Sequence, residues 1–384
     1  MRRLPLLIIA SMSFLSTHGL CQATVPQIEL VTAWTIEQAS IDQLEKMVTA
    51  AHGKRDKEVA QLISPFHLTQ RLSQARFEKL NSGLPGKQSR QALLAMADES
   101  AFLDLPSTDL LSLPLPSRSV QGQILLRASE FVAGTISKMP DFIATRTTTR
   151  FQDVKETFLP EEPTVVANRR FRVIDRTVAT AVFRDGKEID QATNEDKSGK
   201  DISAKPGLDS WGEFGPLLGV VVTNLLSGKI AWIHWEPSAD GPAAVFRFEV
   251  SEDKSNYTVR YCCDRTGGSP KRIELTPAYH GEIAVNPVTG AVLRIALMRD
   301  LKPEVILKRA DIAVDYGPVD IGGHTHICPV KSVSISTDNP QVIKGIPDSI
   351  SWLGPRIIAI NDVVFDHYHQ FRGEVRIVPD NSAP

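Results

Sequence analysis

The sequence has few cysteines and no excess of charge of either sign, and both shortages limit what the protein can be. Four cysteines in 384 residues cannot hold together a disulfide-dense scaffold, so the fold must depend on hydrophobic burial. The formal net charge of −2 at pH 7 lacks the basic excess that nucleic-acid binding requires. We therefore expect no nucleic acid among the partners.

Long hydrophobic runs are absent after the N-terminus. The apolar run Leu4–Leu15 follows two arginines, and small residues occupy the positions that a signal peptidase reads in residues 21–23. This run is shorter than the ~20 residues that span a bilayer. We predict a signal peptide over residues 1–23, cleaved after Ala23, and a periplasmic or secreted mature chain without a transmembrane segment. A lipoprotein acylated at Cys21 is the alternative.

Motifs of common enzyme classes are also missing. Ser210 in GLDSWG is out of register with the G-x-S-x-G nucleophile elbow. There is no H-E-x-x-H sequence, and LSGK lacks the glycine-rich loop that cradles phosphate. His234 and Glu236 share a strand face and could exchange a proton, but a surface pair is the simpler interpretation. The chain fits a non-enzymatic protein better than an enzyme, and no cofactor is expected.

The first part of the mature chain, residues 24–105, has the periodicity of short amphipathic helices. Ser40 and Gln43 match a capping box, in which each side chain accepts a hydrogen bond from the backbone of the other residue. Apolar residues then recur at helical spacing in four segments. Residues 106–119 are rich in proline and predict a linker or an extended crossing segment, after which a fifth helix begins.

Residues 120–384 are predicted to form an α+β domain, because the apolar period changes to two from Phe142 onward. YHGEIAVNPVTGAVLRIAL (residues 279–297) predicts two strands joined by a proline–glycine turn, with Arg294 on the face that could meet Glu282. One apolar helix, from Asp209 or Ser210 to about Leu226, is expected to be buried. These patterns predict a large curved antiparallel sheet, similar to a half-barrel, with a buried helix and an N-terminal helical part.

Two stretches of this domain, GEIAVNPVTGAVLRI and ADIAVDYGPVDIGGHTHICP, resemble the extracytoplasmic lipoprotein-carrier-like superfamily of LolA/LolB-like half-barrels. The resemblance covers about residues 142–379 and rests on the strand pattern and the hairpin turn. It implies a curled sheet whose concave apolar face holds acyl chains beneath a lid of helices. The chain is also similar to secreted bacterial proteins of unknown function that have the same C-terminal strands.

Alternative functions depend on what covers the apolar face of this sheet. If a ligand covers it, the protein is a non-catalytic binding protein for a lipid, a lipoprotein or another apolar molecule. Trp232, Phe248 and Tyr257 are then the expected ligand-binding residues. If its own helices cover it, the protein is a structural or interaction module, for which an envelope protein would be the partner.

A metal-dependent enzyme is the third hypothesis, and it depends on the sequence HTHIC. His324, His326 and Cys328 alternate, so they share one face of a strand. Histidines two residues apart on a strand can bind one zinc ion, although a structural zinc site usually has four ligands. Half-exposed sheet histidines without an ion are therefore the simpler interpretation.

The three cysteines of the mature chain allow one disulfide, in which Cys328 pairs with Cys262 or Cys263. Alternation with Ser332 and Ser334 predicts that Cys328 lies on the wetter side of the sheet. In a plain meander the two segments would be ~19 Å apart, well beyond the ~7 Å limit on the Cα separation. The bridge therefore requires a strongly curled sheet or a rearranged strand order.

Overall fold

The computed structural model describes most of the chain after the predicted signal peptide. The described residues are 37–154, 170–189, 207–208, 213, 216–225, 228–264, 271–302, 305, 307–338, 342–344, 351–353 and 357–370. The predicted signal peptide and its cleavage site therefore lie outside the described residues, as does the predicted start of the buried helix at Asp209 or Ser210.

The N-terminal part is helical, as its periodicity predicts. Its helices are α1 (Ile41–Ala50), α2 (Asp56–Ile63), α3 (Gln74–Gly83) and α4 (Lys87–Glu99), and its strands β1 (Glu37–Ala39) and β2 (Phe66–Leu68) form a parallel pair. The predicted capping box is present, since the Ser40 hydroxyl accepts from the Gln43 N–H and the Gln43 side chain accepts from the Ser40 N–H at 2.7 Å. Residues 37–105 enclose an apolar core of their own and are called the helical unit below.

Two further helices belong to the C-terminal part. The proline-rich segment leads into α5 (Arg118–Lys138), which is the predicted fifth helix. The predicted buried helix is α6 (Pro216–Leu225), and Leu217, Leu218 and Val221 on it are each 5% exposed or less. Among the described residues, no helix is both long and apolar enough to cross a membrane.

The strands that follow α5 account for most of the described C-terminal part. They are β3 (Phe142–Val154), β4 (Arg170–Arg184), β5 (Lys187–Ile189), β6 (Gly207–Leu208), β7 (Lys229–Ser238), β8 (Gly241–Val250), β9 (Val259–Asp264), β10 (Lys271–Leu275), β11 (Ala278–Val285), β12 (Val292–Asp300), β13 (Leu307–Ile321), β14 (His324–Asp338), β15 (Val342–Lys344), β16 (Ser351–Leu353) and β17 (Ile358–Gln370).

Ten of these strands form one open antiparallel sheet in the order β5-β4-β3-β17-β14-β13-β12-β11-β8-β7. The sheet does not close on itself, which is consistent with a half-barrel. The α+β class and the large antiparallel sheet are thus confirmed. The strand order also contains a long-range step, because β17 is inserted between β14 and β3.

The strands after α6 do not all join the large sheet in chain order. β9 and β10 leave the large sheet and form a small antiparallel sheet with β6, so that β11 pairs directly with β8. The reason is packing: Val259 and Tyr261 on β9 are buried against Leu208, Leu307 and Ala310. These apolar contacts place the small sheet across the start of β13.

The hairpin of β11 and β12 fixes the position of α5 through its turn. The Asn286 side chain accepts hydrogen bonds from the N–H groups of Val288 and Thr289, at 2.9 and 3.1 Å. Gly290 has a φ of +77°, and a Cβ there would lie 2.3 Å from the carbonyl oxygen of Arg127 on α5. The turn and the helix are therefore in direct backbone contact, which requires glycine at this position.

Candidate functional site

The inner face of the large sheet, defined as the face that carries Phe246, Phe248 and Ile283, is covered by the protein's own helices. Helix α5 contributes Ile124, Ala128 and Val132 to a single apolar core. Helix α6 contributes four side chains to the same core, namely Leu217, Leu218, Val221 and Val222. The volume that a ligand would need over β8 and β11–β13 is thus filled by side chains.

The three residues predicted to bind an apolar ligand do come together on this side, but as packing residues. Phe248 is 1% exposed and contacts the Tyr279 ring edge-on, with ring centres 6.1 Å apart. Trp232 packs edge-on against Phe246 at 5.4 Å. The ring centres of Tyr257 and Tyr279 are 6.0 Å apart. The Tyr257 hydroxyl accepts a hydrogen bond of 2.6 Å from the Arg299 guanidinium, which also stacks over the Tyr257 ring.

A cleft of about 540 Å³ lies at one rim of the sheet, where β7 begins and β8 ends. None of the three predicted ligand residues lines this cleft. Four of its charged side chains form two pairs: Lys229 with Glu249 at 3.3 Å, and His280 with Asp300 at 3.1 Å. An exposed cleft lined by ion pairs is poorly suited to an apolar ligand.

Part of the inner face is polar, which the sequence analysis did not predict. Glu213 is completely buried, and it accepts a hydrogen bond of 3.2 Å from the Ser332 hydroxyl and lies 3.5 Å from the Arg146 guanidinium. Asn361 donates to the Leu208 carbonyl at 3.2 Å and to the Ser334 hydroxyl at 3.1 Å. These hydrogen bonds connect β6 and residue 213 to β14 and β17. They therefore stabilise the packing of these segments on the inner face.

The outer face of the sheet carries a row of alternating charges across seven neighbouring strands. We call it the charge row, and from β7 to β17 its members are Glu236, Arg247, Glu282, Arg294, Asp315, Lys331 and Asp362. Neighbouring members pair across strands, with Arg247 2.6 Å from Glu282 and Arg294 2.8 Å from Asp315. Arg294 lies on the same face as Glu282, as predicted, but the register places Ala284 opposite Arg294, and its ion-pair partner is Asp315 on β13.

The helical unit binds to the charge row through residues 71–104. Arg71 pairs with Glu236, and Asp104 lies 3.3 Å from Arg247. Arg294 donates to the carbonyl oxygen of Ala101, and Lys331 donates to Asp98 at 2.7 Å. Each contact from the helical unit thus presents the charge or dipole that is opposite to its partner in the row.

Apolar packing supports these polar contacts. Leu94, Ala95, Ala101 and Phe102 of the helical unit pack against a cluster on the sheet whose members are Phe151, Val333, Ile335 and Ile360, with Phe171, Val173 and Ile358 at its edge. Because the charged groups lie beside this small apolar patch, the interface combines modest hydrophobic burial with desolvated charges.

The pair His234–Glu236 is part of this interface, so its interpretation as a surface pair is wrong. Glu236 is 7% exposed, and its carboxylate accepts from His234 at 2.9 Å and from Arg71. Burial raises the pKa of Glu236, but the His234 hydrogen bond and the charges of Arg71 and Arg294 outweigh it, so the pKa lies below its usual value. Burial and the nearby Arg294 lower the pKa of Arg71.

The predicted metal residues lie at the start of β14. His324 is exposed and His326 is half-buried, and the described residues contain no group of three or more histidine, cysteine or acidic side chains that could hold an ion. Cys328 is fully buried among apolar side chains, including Phe142, Phe183 and Phe365. Its expected position on the wetter side is therefore wrong, because α5 ends above this part of the inner face with Met139 in the same cluster.

The disulfide stays a prediction. Cys328 has a free thiol in the structure, while the side chains of Cys262 and Cys263 lie outside the described residues. The strand that carries them, β9, belongs to the small sheet, which packs at the start of β13 and in a different apolar cluster from Cys328.

A free Cys328 has a direct chemical consequence. Burial raises the pKa of its thiol to about 12, so the reactive thiolate is scarce and inaccessible in the native protein. We expect iodoacetamide at pH 8 to modify Cys328 after denaturation in guanidinium chloride and to leave it unmodified in the folded chain. Peptide mass mapping without reduction checks this, and a peptide linking Cys328 to residues 262–263 would contradict it.

The geometry therefore provides a filled inner face and a charged, partly apolar interface between the helical unit and the outer face. Neither region resembles an assembled catalytic centre among the described residues. No protein-family model, curated protein or solved structure matches this chain.

Proposed function

We propose that the protein is a periplasmic or secreted, non-catalytic interaction protein whose sheet is packed by its own helices. The observation that supports this most strongly is the position of α5 and α6, which occupy the inner face where an apolar ligand would bind. The extracytoplasmic location rests on the basic and apolar start of the sequence.

The helical unit is the part of the molecule that we propose for partner binding. Its own core is complete without the sheet, so its side chains away from the sheet are available to another protein. On this surface Arg76 forms ion pairs with Asp109, Glu45 and Asp42 at 2.7–3.3 Å, which hold α1, α3 and residue 109 together. An envelope protein is the partner class that fits the proposed location.

A second candidate, binding of a lipid or lipoprotein, is supported by the chain leading into α5. Residues 112–115 are exposed, with Trp235 as one anchor through a 3.0 Å hydrogen bond from its Nε1 to the Pro114 carbonyl. Helix α5 follows this exposed segment directly. It could therefore move away from the inner face and open it, in the way that a lid opens a binding site. Its displacement would expose Ile124, Ala128 and Val132, and a bound acyl chain would have to replace their contacts.

The two candidates are separated by two measurements on protein from its own host. A photo-crosslinking amino acid at exposed Lys79 on α3 is expected to give a discrete adduct with an envelope protein, whereas the same probe at exposed Lys229 on the sheet rim gives none. Native mass spectrometry is expected to show no lipid. Equal crosslinking at both positions contradicts the proposal, and a stoichiometric co-purified lipid favours the second candidate.

A further inference from the structure

A buried cluster of three charges lies where α4 meets the sheet. The Lys331 ammonium is 2.7 Å from Asp98 Oδ1 and 3.2 Å from Asp362 Oδ1. Asp98 and Asp362 are 1% and 4% exposed. Two buried carboxylates thus share one ammonium, whose side chain is itself only partly exposed.

The neighbouring cations are each paired with another acid. They therefore do not neutralise the excess negative charge of this cluster. Asp315 has Arg294, Asp311 has Arg309, and Glu282 has Arg247. Farther along the interface Asp104 also meets Arg247, Glu236 meets Arg71 and His234, and Glu99 meets His67. The cluster of Asp98, Asp362 and Lys331 therefore carries a net charge of about −1 when both carboxyls are ionised.

The hydrogen bonding points to where a proton would go. Asp98 Oδ2 and Asp362 Oδ1 are buried and have no hydrogen-bond partner among the described residues, although the latter is within ion-pair distance of Lys331. A buried acceptor without a partner is costly, and a proton on the Asp98 carboxyl converts its acceptor oxygen into a donor. One proton would also bring the cluster to neutrality.

We propose that the helical unit is held on the outer face by this proton, so that its docking is stronger in acid and weaker at neutral pH. The site is a conformational switch built from Asp98 on the helical unit and Asp362 and Lys331 on the sheet. The inference concerns contacts within the chain, and it holds whichever partner the helical unit binds.

The pKa of Asp98 agrees with this geometry. The pKa of Asp98 is raised to about 7; burial is the largest cause, the charge of Lys331 opposes it, and the charge of Asp362 adds to it. In the undocked unit Asp98 would have the pKa of an exposed aspartate, about 4. The docked form therefore binds more protons between these values, and the docking constant falls about tenfold per pH unit as the pH rises from about 4 to about 7. Above this window it is level.

A cysteine at Ala95 measures docking directly, because Ala95 is 1% exposed and packs against the sheet. Met96 provides the matched control, since it is 3% exposed but packs inside the helical unit. In the full chain, Ala95→Cys and Met96→Cys are labelled with 4,4′-dithiodipyridine at pH 5 and pH 8. The labelling rate of each cysteine-containing peptide is measured by mass spectrometry. Division by the labelling rate of free cysteine at the same pH gives the opening constant, which is the equilibrium constant for exposure of that residue.

We expect the opening constant of Ala95→Cys to rise about 100-fold from pH 5 to pH 8, while that of Met96→Cys changes much less. Adding Asp98→Asn should abolish the pH response, and Asp362→Asn should abolish it independently if the first variant fails to fold. Glu249→Gln, which alters an exposed carboxyl, should leave the response intact. The proposal is overturned if Ala95→Cys shows no response, if both aspartate variants keep it, or if Met96→Cys responds equally.

Discussion

Replacement of Lys331 by methionine is expected to lower the free energy of unfolding by about 3–5 kcal/mol. The ammonium of Lys331 lies within 3.2 Å of both Asp98 and Asp362, and burial, which by itself would lower its pKa, is outweighed by these two carboxylates, so the pKa is raised. Methionine fills a similar volume but leaves two buried carboxyls without a cation. Urea denaturation at pH 7.5, followed by circular dichroism, measures the loss.

The matched control is Lys229→Met, because this lysine also pairs with a carboxylate but does so in solvent. Lys229 lies 3.3 Å from Glu249, and the two side chains are 88% and 62% exposed. Its loss is expected to cost less than ~1 kcal/mol. The double variant Lys331→Met with Asp98→Asn should be more stable than Lys331→Met alone, since it removes one of the stranded charges. Similar losses for the two lysine variants would contradict a desolvated cluster.

Much of the fold can be predicted from the sequence because its signals are local. The capping box at Ser40 depends on two residues three apart, and it is present in the structure. The β11–β12 hairpin depends on strict alternation and a turn, and its register follows that alternation as far as a bulge after Ala284. The burial of α6 follows from apolar residues on every side of one short helix.

The charge row could not be predicted, because its members meet through strand order rather than through sequence spacing. Asp362 reaches the row since β17 pairs with β14, and the alternation within β17 says nothing about that neighbour. Likewise, His234–Glu236 is buried by Arg71, which is 165 residues away from Glu236 in the chain. Alternation places a charged side chain on one of two faces, but it does not indicate whether that face is covered.

The same limit explains the outcome for the candidate ligand residues and for Cys328. Alternation correctly puts Phe246 and Phe248 on one face, but the sequence does not show that α5 crosses that face. Cys328 alternates with Ser332 and Ser334, and serines commonly indicate solvent. Both serines are in fact 3% exposed or less, because Glu213 and Asn361 satisfy their hydroxyls inside the protein.

Replacement of Phe248 by alanine tests which of the two functions applies. If Phe248 is a core residue, its loss leaves a cavity between β8, β11 and the two covering helices, and the free energy of unfolding should fall by about 3–5 kcal/mol. Val178→Ala is the control, since Val178 is 67% exposed and its truncation should cost no more than ~0.5 kcal/mol. Denaturant titration of both variants gives the comparison.

Binding of a fluorescent fatty acid to the same proteins completes the test. For a sheet packed by its own helices, we expect no saturable binding to the wild type at micromolar protein. We also expect no gain in Val178→Ala, while Phe248→Ala provides at most a weak site in its new cavity. The opposite result is tight binding to the wild type, together with a loss of affinity in Phe248→Ala that exceeds its loss of stability. Phe248 would then contact a ligand, and α5 would act as a lid over the inner face.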